Sequence, residues 1–212
     1  MKNIFNSHYR KYDSWYKRNK FVYLSELSAI RKILPKKGKG LEIGVGTGRF
    51  ACALGITAGI DPSKKMIGIA KKRGIDARLG SGEHLPFKED SFDYAAIIIT
   101  LSFVKNPIGV LKEARRILRR NGKIIIGIID KDSFLGKLYQ KKKSAKHIFY
   151  RQASFFSVKN ITDLLKRTGF DKLSFYQTLF KPSGNIDSIE RPKKGFGKGG
   201  FVVISAHKKG HP

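Results

Sequence analysis

The sequence predicts an α/β domain built on a seven-stranded, mostly parallel sheet flanked by helices, with the last strand antiparallel. Three observations carry this. Strand-like and helix-like segments alternate from residue 41 onward, the sign of βαβ units and a parallel sheet. A glycine turn, "LEIGVGTGRF" at residues 41–50, follows the first strand-like stretch and opens into a new apolar run. The last two strand-like stretches are separated by a loop instead of a helix, which frees that pair to run antiparallel.

The strands are expected in order at "GLEIG" (40–44), "TAGID" (57–61), "DARLG" (76–80), "FDYAAIIIT" (92–100) and "KIIIGIID" (123–130). Between them, "PSKKMIGIAKKRG" starts with Pro and ends in Gly, and "PIGVLKEARRILRRNG" carries Val110, Leu111, Ala114, Ile117 and Leu118 on one face before an Asn-Gly stop; both read as crossover helices. A looser stretch after Asp130 leads to a helix with Ser157 as its N-cap and Gly169 as its stop. "KLSFYQTLF" and "GFVVISAHK" complete the sheet around the Gly- and Pro-rich loop "KPSGNIDSIERPKKGFGKG".

The chain has 212 residues, enough for one domain with its own core. Its apolar runs fall far short of the ~20 residues of a membrane span, and the N-terminus lacks the apolar block of a secretory signal, so the expected location is the cytoplasm. The single cysteine, Cys52, excludes an intramolecular disulfide and a cysteine-rich zinc site and reads as a small core residue. The formal net charge is +28, from 44 Lys and Arg against 16 Asp and Glu. The basic residues are spread along the chain, which favours a generally basic surface with nonspecific nucleic-acid binding at low salt over a dedicated groove.

In an open parallel sheet the ligand lies beyond the carboxyl ends of the strands. A dinucleotide fingerprint would need Gly at position 49, where Arg49 stands. The glycines are Gly44, Gly46 and Gly48, with Glu42 two residues ahead, where a carboxylate suits a cationic ligand and would repel a pyrophosphate. Asp61, ending the second strand, can accept hydrogen bonds from ribose hydroxyls. Taken singly, Gly48 also suits close helix packing, and Asp61 a helix cap.

The ordered set "LEIGVGTG", "GIDPSKKM", "LPFKEDSFDYAAII" and "LKEARRILRRNGKIIIGI", extended by "ASFFSVKNITDLLKRTGF", resembles the class I S-adenosylmethionine-dependent methyltransferases, in particular the small-molecule group that includes quinone-biosynthesis enzymes. The resemblance implies a Rossmann-like fold with S-adenosylmethionine as cofactor and S-adenosylhomocysteine as product. It places the methionine portion on Glu42 and the Gly44 and Gly46 backbone, with Thr100 near its ammonium group. Asp61 takes the ribose, Pro62 lies against the adenine, and Ser81, Gly82 and Glu83 lie at the adenine edge. Ser81 departs from the aspartate common in the family.

The resemblance also implies a helical cap over residues 1–39, on which Tyr12, Trp15 and Tyr16 close the cleft, and a methyltransferase domain over 40–212 with a lid insertion at about 131–156. The acceptor is expected between the cap, Ser102 and Phe103 of the "LSFV" turn, the stretch after Asp130, and the last loop, with Asp130, His84 and His147 as its titratable neighbours. "TLSFV" replaces the Asn/Asp-Pro-Pro-aromatic turn of base amino methyltransferases, and Cys52 is misplaced for a pyrimidine nucleophile. A small-molecule acceptor is therefore favoured over RNA and over a noncatalytic cofactor-binding protein. The lysine runs at 141–143 and 193–194 suggest an anionic acceptor.

Overall fold

The computed structural model describes residues 4–210; the first three residues of the expected cap and the last two of the chain lie outside them. Three helices open the described chain: α1 (Ile4–Ser7), α2 (Tyr9–Arg18) and α3 (Lys20–Arg31). The parallel core then follows as β1 (Gly40–Ile43), α4 (Arg49–Leu54), β2 (Ala58–Asp61), α5 (Lys64–Lys72), β3 (Asp76–Leu79), β4 (Phe92–Ile98), α6 (Pro107–Ile117) and β5 (Leu118–Ile129). Helix α7 (Phe134–Ser144) fills the expected lid stretch. After it come α8 (Val158–Arg167), β6 (Phe170–Thr178), β7 (Lys193–Lys194) and β8 (Phe201–Lys208).

Strand order is β3-β2-β1-β4-β5-β8-β6-β7. The first five strands pair in parallel, whereas β8 runs antiparallel to both β5 and β6. The expected seven strands are present, and the two-residue β7 adds an eighth by pairing with Tyr176 and Gln177. Strand β5 starts ahead of its apolar run. Leu118 pairs with Phe92, and a bulge containing Asn121 at φ 62° intervenes before Lys123 pairs with Tyr94. Helix α6 therefore ends at Ile117, short of the Asn-Gly pair expected to stop it.

The capping chemistry agrees with the boundaries. Asn106 caps α6 by accepting from the Gly109 amide at 2.9 Å, with Pro107 in the first turn. Ser157 and Asn160 form a reciprocal capping box on α8, and Gly169 takes φ 83° beyond its end.

Both sheet faces are covered. Ile125 and Val203 pack with Leu27, Ile30 and Phe50 on the face of α3 and α4, while Ile124, Ile126 and Ile204 pack with Leu111, Ile117, Ile161 and Leu165 on the face of α6 and α8. Burial on both faces is what a near-continuous apolar strand such as "IIIGII" demands. Cys52 departs from expectation: it lies exposed on α4, while its neighbours Phe50 and Ala51 turn into the core.

Candidate functional site

A cavity of about 970 Å³ opens beyond the carboxyl ends of β1, β2 and β4. This is the crevice where strand order reverses, with β2 on one side of β1 and β4 on the other. One end of the cavity is the glycine turn. Gly44 and Gly46 have φ values of 77° and 53°, in the left-handed region that side chains disfavour. A Cβ on Gly44 would collide with the Thr100 side chain, so bare backbone is what the packing permits there.

Thr100 is aimed by strain. Ile99, a β-branched residue, sits at φ 64° and donates its amide to Gly127 O at 2.7 Å, so β4 ends by throwing Thr100 over the turn. The Thr100 hydroxyl lies 3.3 Å from the Gly44 carbonyl and 3.2 Å from that of Ile98, and donates to that pair.

Asp61 braces the glycine turn and faces the cavity, while Ser63 caps α5 by accepting from the Met66 amide. The Asp61 Oδ2 accepts from the Gly46 amide and its Oδ1 from the Ser63 amide, each at 2.9 Å. Burial raises its pKa, and those two amides partly offset the rise. Each oxygen keeps a lone pair for a hydroxyl. Pro62 follows it on the cavity wall.

Ser81 and Glu83 act as one unit. The Ser81 hydroxyl donates to the Glu83 carboxylate and accepts from the Glu83 amide at 3.2 Å. Burial pushes the Glu83 pKa up, but Ser81 and the backbone bonds at Glu83, Asn106 and Lys105 outweigh it and hold the group below its ordinary value. With the serine proton committed to Glu83, the acceptor presented at this edge is the carboxylate.

Glu42 does not line the cavity. It is 2% exposed beneath the turn, its Oε2 has no hydrogen-bond partner among the described residues, and burial raises its pKa to about 8, opposed by one backbone bond from Ala51 and helped slightly by Asp61. Asp130 is also off the wall: its Oδ1 accepts from the Asp132 amide at 3.3 Å and its carbonyl from Ser133, so it shapes the turn into α7. The other expected residues, Tyr12, Trp15, Tyr16, Gly82, His84, Ser102, Phe103 and His147, all line the cavity.

The roof is aromatic. Phe5 packs edge-on to Tyr12 and Phe103 with centroids 5.7 and 5.0 Å apart, and stacks on Phe149 at 5.7 Å. Tyr139 stacks on Tyr150 at 4.6 Å. Sequence reasoning missed Phe5, Tyr139, Phe149, Tyr150 and above all Glu26, a fully buried acid on α3 that lines the cavity. The available signal was a lone glutamate inside "FVYLSELSAI", a helix otherwise nearly free of charge.

The residues fit an adenosyl amino-acid sulfonium: a bare turn for close approach, a buried acid with an unmet oxygen behind it, and an aspartate at the second strand's end. The comparisons agree. Residues 41–126 match the family of methyltransferase domains. The chain is 49% identical over 206 residues to an uncharacterized protein of Methanocaldococcus jannaschii, covering 97% of this chain and 99% of that one. A crystal structure from Thermotoga maritima, described as a S-adenosylmethionine-dependent methyltransferase and possible histamine N-methyltransferase, is 46% identical with a TM-score of 0.96, covering 99% of this chain and 100% of that one. Demethylmenaquinone methyltransferase of Oceanobacillus iheyensis is 26% identical, over 95% of this chain and 87% of that one.

The chain belongs to the S-adenosylmethionine-dependent methyltransferases. Its cofactor is S-adenosylmethionine, and its cofactor product is S-adenosylhomocysteine.

Proposed function

We propose that this enzyme methylates a small molecule held in the cavity between the glycine turn and the aromatic roof. The observation that carries the reading is the cavity itself: about 970 Å³, continuous from Gly44, Gly46 and Asp61 to Tyr139 and Tyr150. Its size is in the range of pockets that enclose a cofactor with a compact acceptor beside it. The names of the Thermotoga and Oceanobacillus relatives, a possible histamine enzyme and a menaquinone enzyme, both fall in the small-molecule class.

When bound, the cofactor supplies an activated methyl group whose departure from sulfur needs no proton. The protein's share is then chiefly positioning and exclusion of water. In this reading Gly44, Gly46 and Thr100 hold the amino-acid portion, with Glu42 stabilising positive charge from below. Asp61 binds the ribose, and Pro62, Gly82 and the Ser81–Glu83 pair hold the adenine. Residues 4–31 serve as a cap and the stretch of about 131–156 as a lid. Their rings shield the reacting centre, and Ser102, Phe103 and His147 border the acceptor.

The test is calorimetric titration with S-adenosylhomocysteine, followed by a methyl-transfer assay with small amines, phenols and thiols alongside total RNA. Binding of the adenosyl ligand with turnover of a small molecule supports the reading. Turnover of RNA alone would replace it with the reading its basic surface favours, and binding without any turnover would favour a cofactor-binding protein.

A further inference from the structure

We infer that the part of the cavity around Glu26 is an acceptor subsite for a small monoamine, its nitrogen held by the Glu26 carboxylate within a wall of tyrosine rings. This rests on the methyl-transfer reading above and names its substrate class.

Glu26 is 1% exposed, lines the cavity, and has no hydrogen-bond partner for Oε2 among the described residues. A carboxylate left so is costly, and nothing in α3 needs one: its buried neighbours Val22, Leu27, Ala29 and Ile30 have no polar side-chain atoms, and the buried Ser25 hydroxyl is engaged elsewhere, donating to the Phe21 carbonyl and accepting from the Glu190 amide. Burial, with no compensating bond, raises its pKa to about 8. An N–H cation arriving at Oε2 would supply both the missing hydrogen bond and the charge that keeps the acid ionised.

The surroundings favour a cation over a phenol. Tyr12 and Tyr16, from α2, sit edge-to-face at 5.3 Å with their hydroxyl oxygens 2.8 Å apart, and Tyr139 stacks on Tyr150 opposite. All four tyrosines line the same cavity as Glu26. A carboxylate among aromatic rings is the combination that recognises organic ammonium groups.

One acid also limits the charge accepted. Lys11 and Arg18 lie exposed at the rim, and Lys142 Nζ sits 5.2 Å from the Tyr139 ring centre, an arrangement that penalises a polyamine. An anionic acceptor loses support because the acid at this subsite would repel it. Of the two lysine runs that suggested it, only Lys142 reaches the cavity, and the most buried ionisable group lining it is the acid Glu26.

The experiment is calorimetry on the protein saturated with S-adenosylhomocysteine, using three probes of similar size: 2-phenylethylamine, 4-ethylphenol and 3-phenylpropionate. The amine is expected to bind at least tenfold more tightly than the others. Glu26→Gln is expected to lower amine affinity at least tenfold while S-adenosylhomocysteine affinity is unchanged. Tyr150→Leu, at a half-buried position, gives the same loss and decides the matter if the Gln variant does not fold. Amine binding indifferent to both changes, or a preference for the phenol or the carboxylate, overturns the inference. Failure of S-adenosylhomocysteine to bind overturns the methyl-transfer reading instead, and the same amine titration on the ligand-free protein still tests Glu26.

Discussion

Asp13 and Arg49 are joined by two hydrogen bonds, Nε to Oδ1 at 2.8 Å and Nη2 to Oδ2 at 2.7 Å, which fasten α2 to the first turn of α4 directly behind the glycine turn. Thr47, within that turn, donates to the same carboxylate at 2.7 Å, and Arg73 at the end of α5 reaches it at 3.0 Å. Burial opposes ionisation of Asp13, but Arg49, Thr47 and Arg73 together outweigh it and hold the carboxyl down to about 2. Three parts of the cavity wall, α2, the glycine turn and α5, thus meet α4 on one acid.

Asp13→Asn is therefore expected to lower stability by about 1–2 kcal/mol at neutral pH, less than a fully buried pair because this one is partly solvated. The sign follows from the depressed pKa. The contribution is fully present above the ordinary carboxylate value of 3.8 and is lost as pH falls through about 2. Urea unfolding of the two proteins should give curves that converge between pH 4 and pH 2. A constant gap over that range would remove the ion cluster from the account.

Gly44 and Gly46 separate strain from collision. Gly46→Ala adds a methyl group 3.7 Å from the Tyr12 ring, ordinary contact, so its cost should be close to the roughly 1 kcal/mol of left-handed strain. Gly44→Ala adds the same strain and drives Thr100 from its place, and should cost clearly more in both stability and S-adenosylhomocysteine affinity. Equal effects of the two changes would show that Thr100 is not fixed by the turn.

The sequence carried the strands that bury both faces and the turn that needs glycine, because those demands act residue by residue. It could not carry β7, since Lys193 and Lys194 pair through backbone alone. Asp130 ends a strand as a ligand-binding acid would, yet its carboxylate is used by the turn that follows. Glu26, though it stands alone among uncharged residues, is easily taken for a surface acid. A single acid in a helix ordinarily marks the solvated face, and only the packing of α3 against the sheet turns this one inward. Tyr139 and Tyr150 come together only when α7 folds back on the segment after it.

Asp61→Ala should weaken S-adenosylhomocysteine binding by about 1.5–3 kcal/mol, the range for hydrogen bonds to a charged group. The same change strips the Gly46 and Ser63 amides of their acceptor, so the turn loosens as well. Asp61→Asn keeps one acceptor oxygen and is expected to fall between Ala and wild type. Calorimetry on the three proteins checks the order, and an Ala variant with wild-type affinity would take Asp61 out of the site.

Glu42 gives a pH dependence of the opposite sign to Asp13. Its folded pKa of about 8 lies above the ordinary 4.5, so the folded protein is favoured most below 4.5 and loses that advantage as pH rises through 8. Glu42→Gln, which has no charge to bury, should therefore melt higher than wild type at pH 9 and differ little at pH 5. A ligand carrying positive charge above Glu42 should lower its pKa, so binding near pH 7 should release protons, read as a dependence of the calorimetric enthalpy on buffer ionisation heat. The Gln variant should release fewer. Equal release by both proteins would detach Glu42 from the ligand's charge.

Trp15 reports on the cap. It lines the cavity and packs edge-on to Tyr16 at 5.1 Å, and it is the only tryptophan in the chain, so its fluorescence belongs to α2 alone. Removing all residues before Leu24 would take Tyr16 and Val22 out of the core, whereas α1 meets the rest of the protein largely through Phe5 on Phe103 and Phe149 and through Asn6, which accepts from Ser63 and the Lys65 amide. A chain lacking residues 1–7 should therefore stay folded. If residues 4–31 close over the cofactor, S-adenosylhomocysteine should shift Trp15 emission in the full chain, because the ligand changes the water around the indole. The shortened chain should release the ligand several-fold faster, because the Phe5 contacts that seal the roof are gone. A Trp15 signal unmoved at saturation, together with an unchanged release rate in the folded shortened chain, would make these helices packing for the sheet and assign closure to α7 and the segment after it.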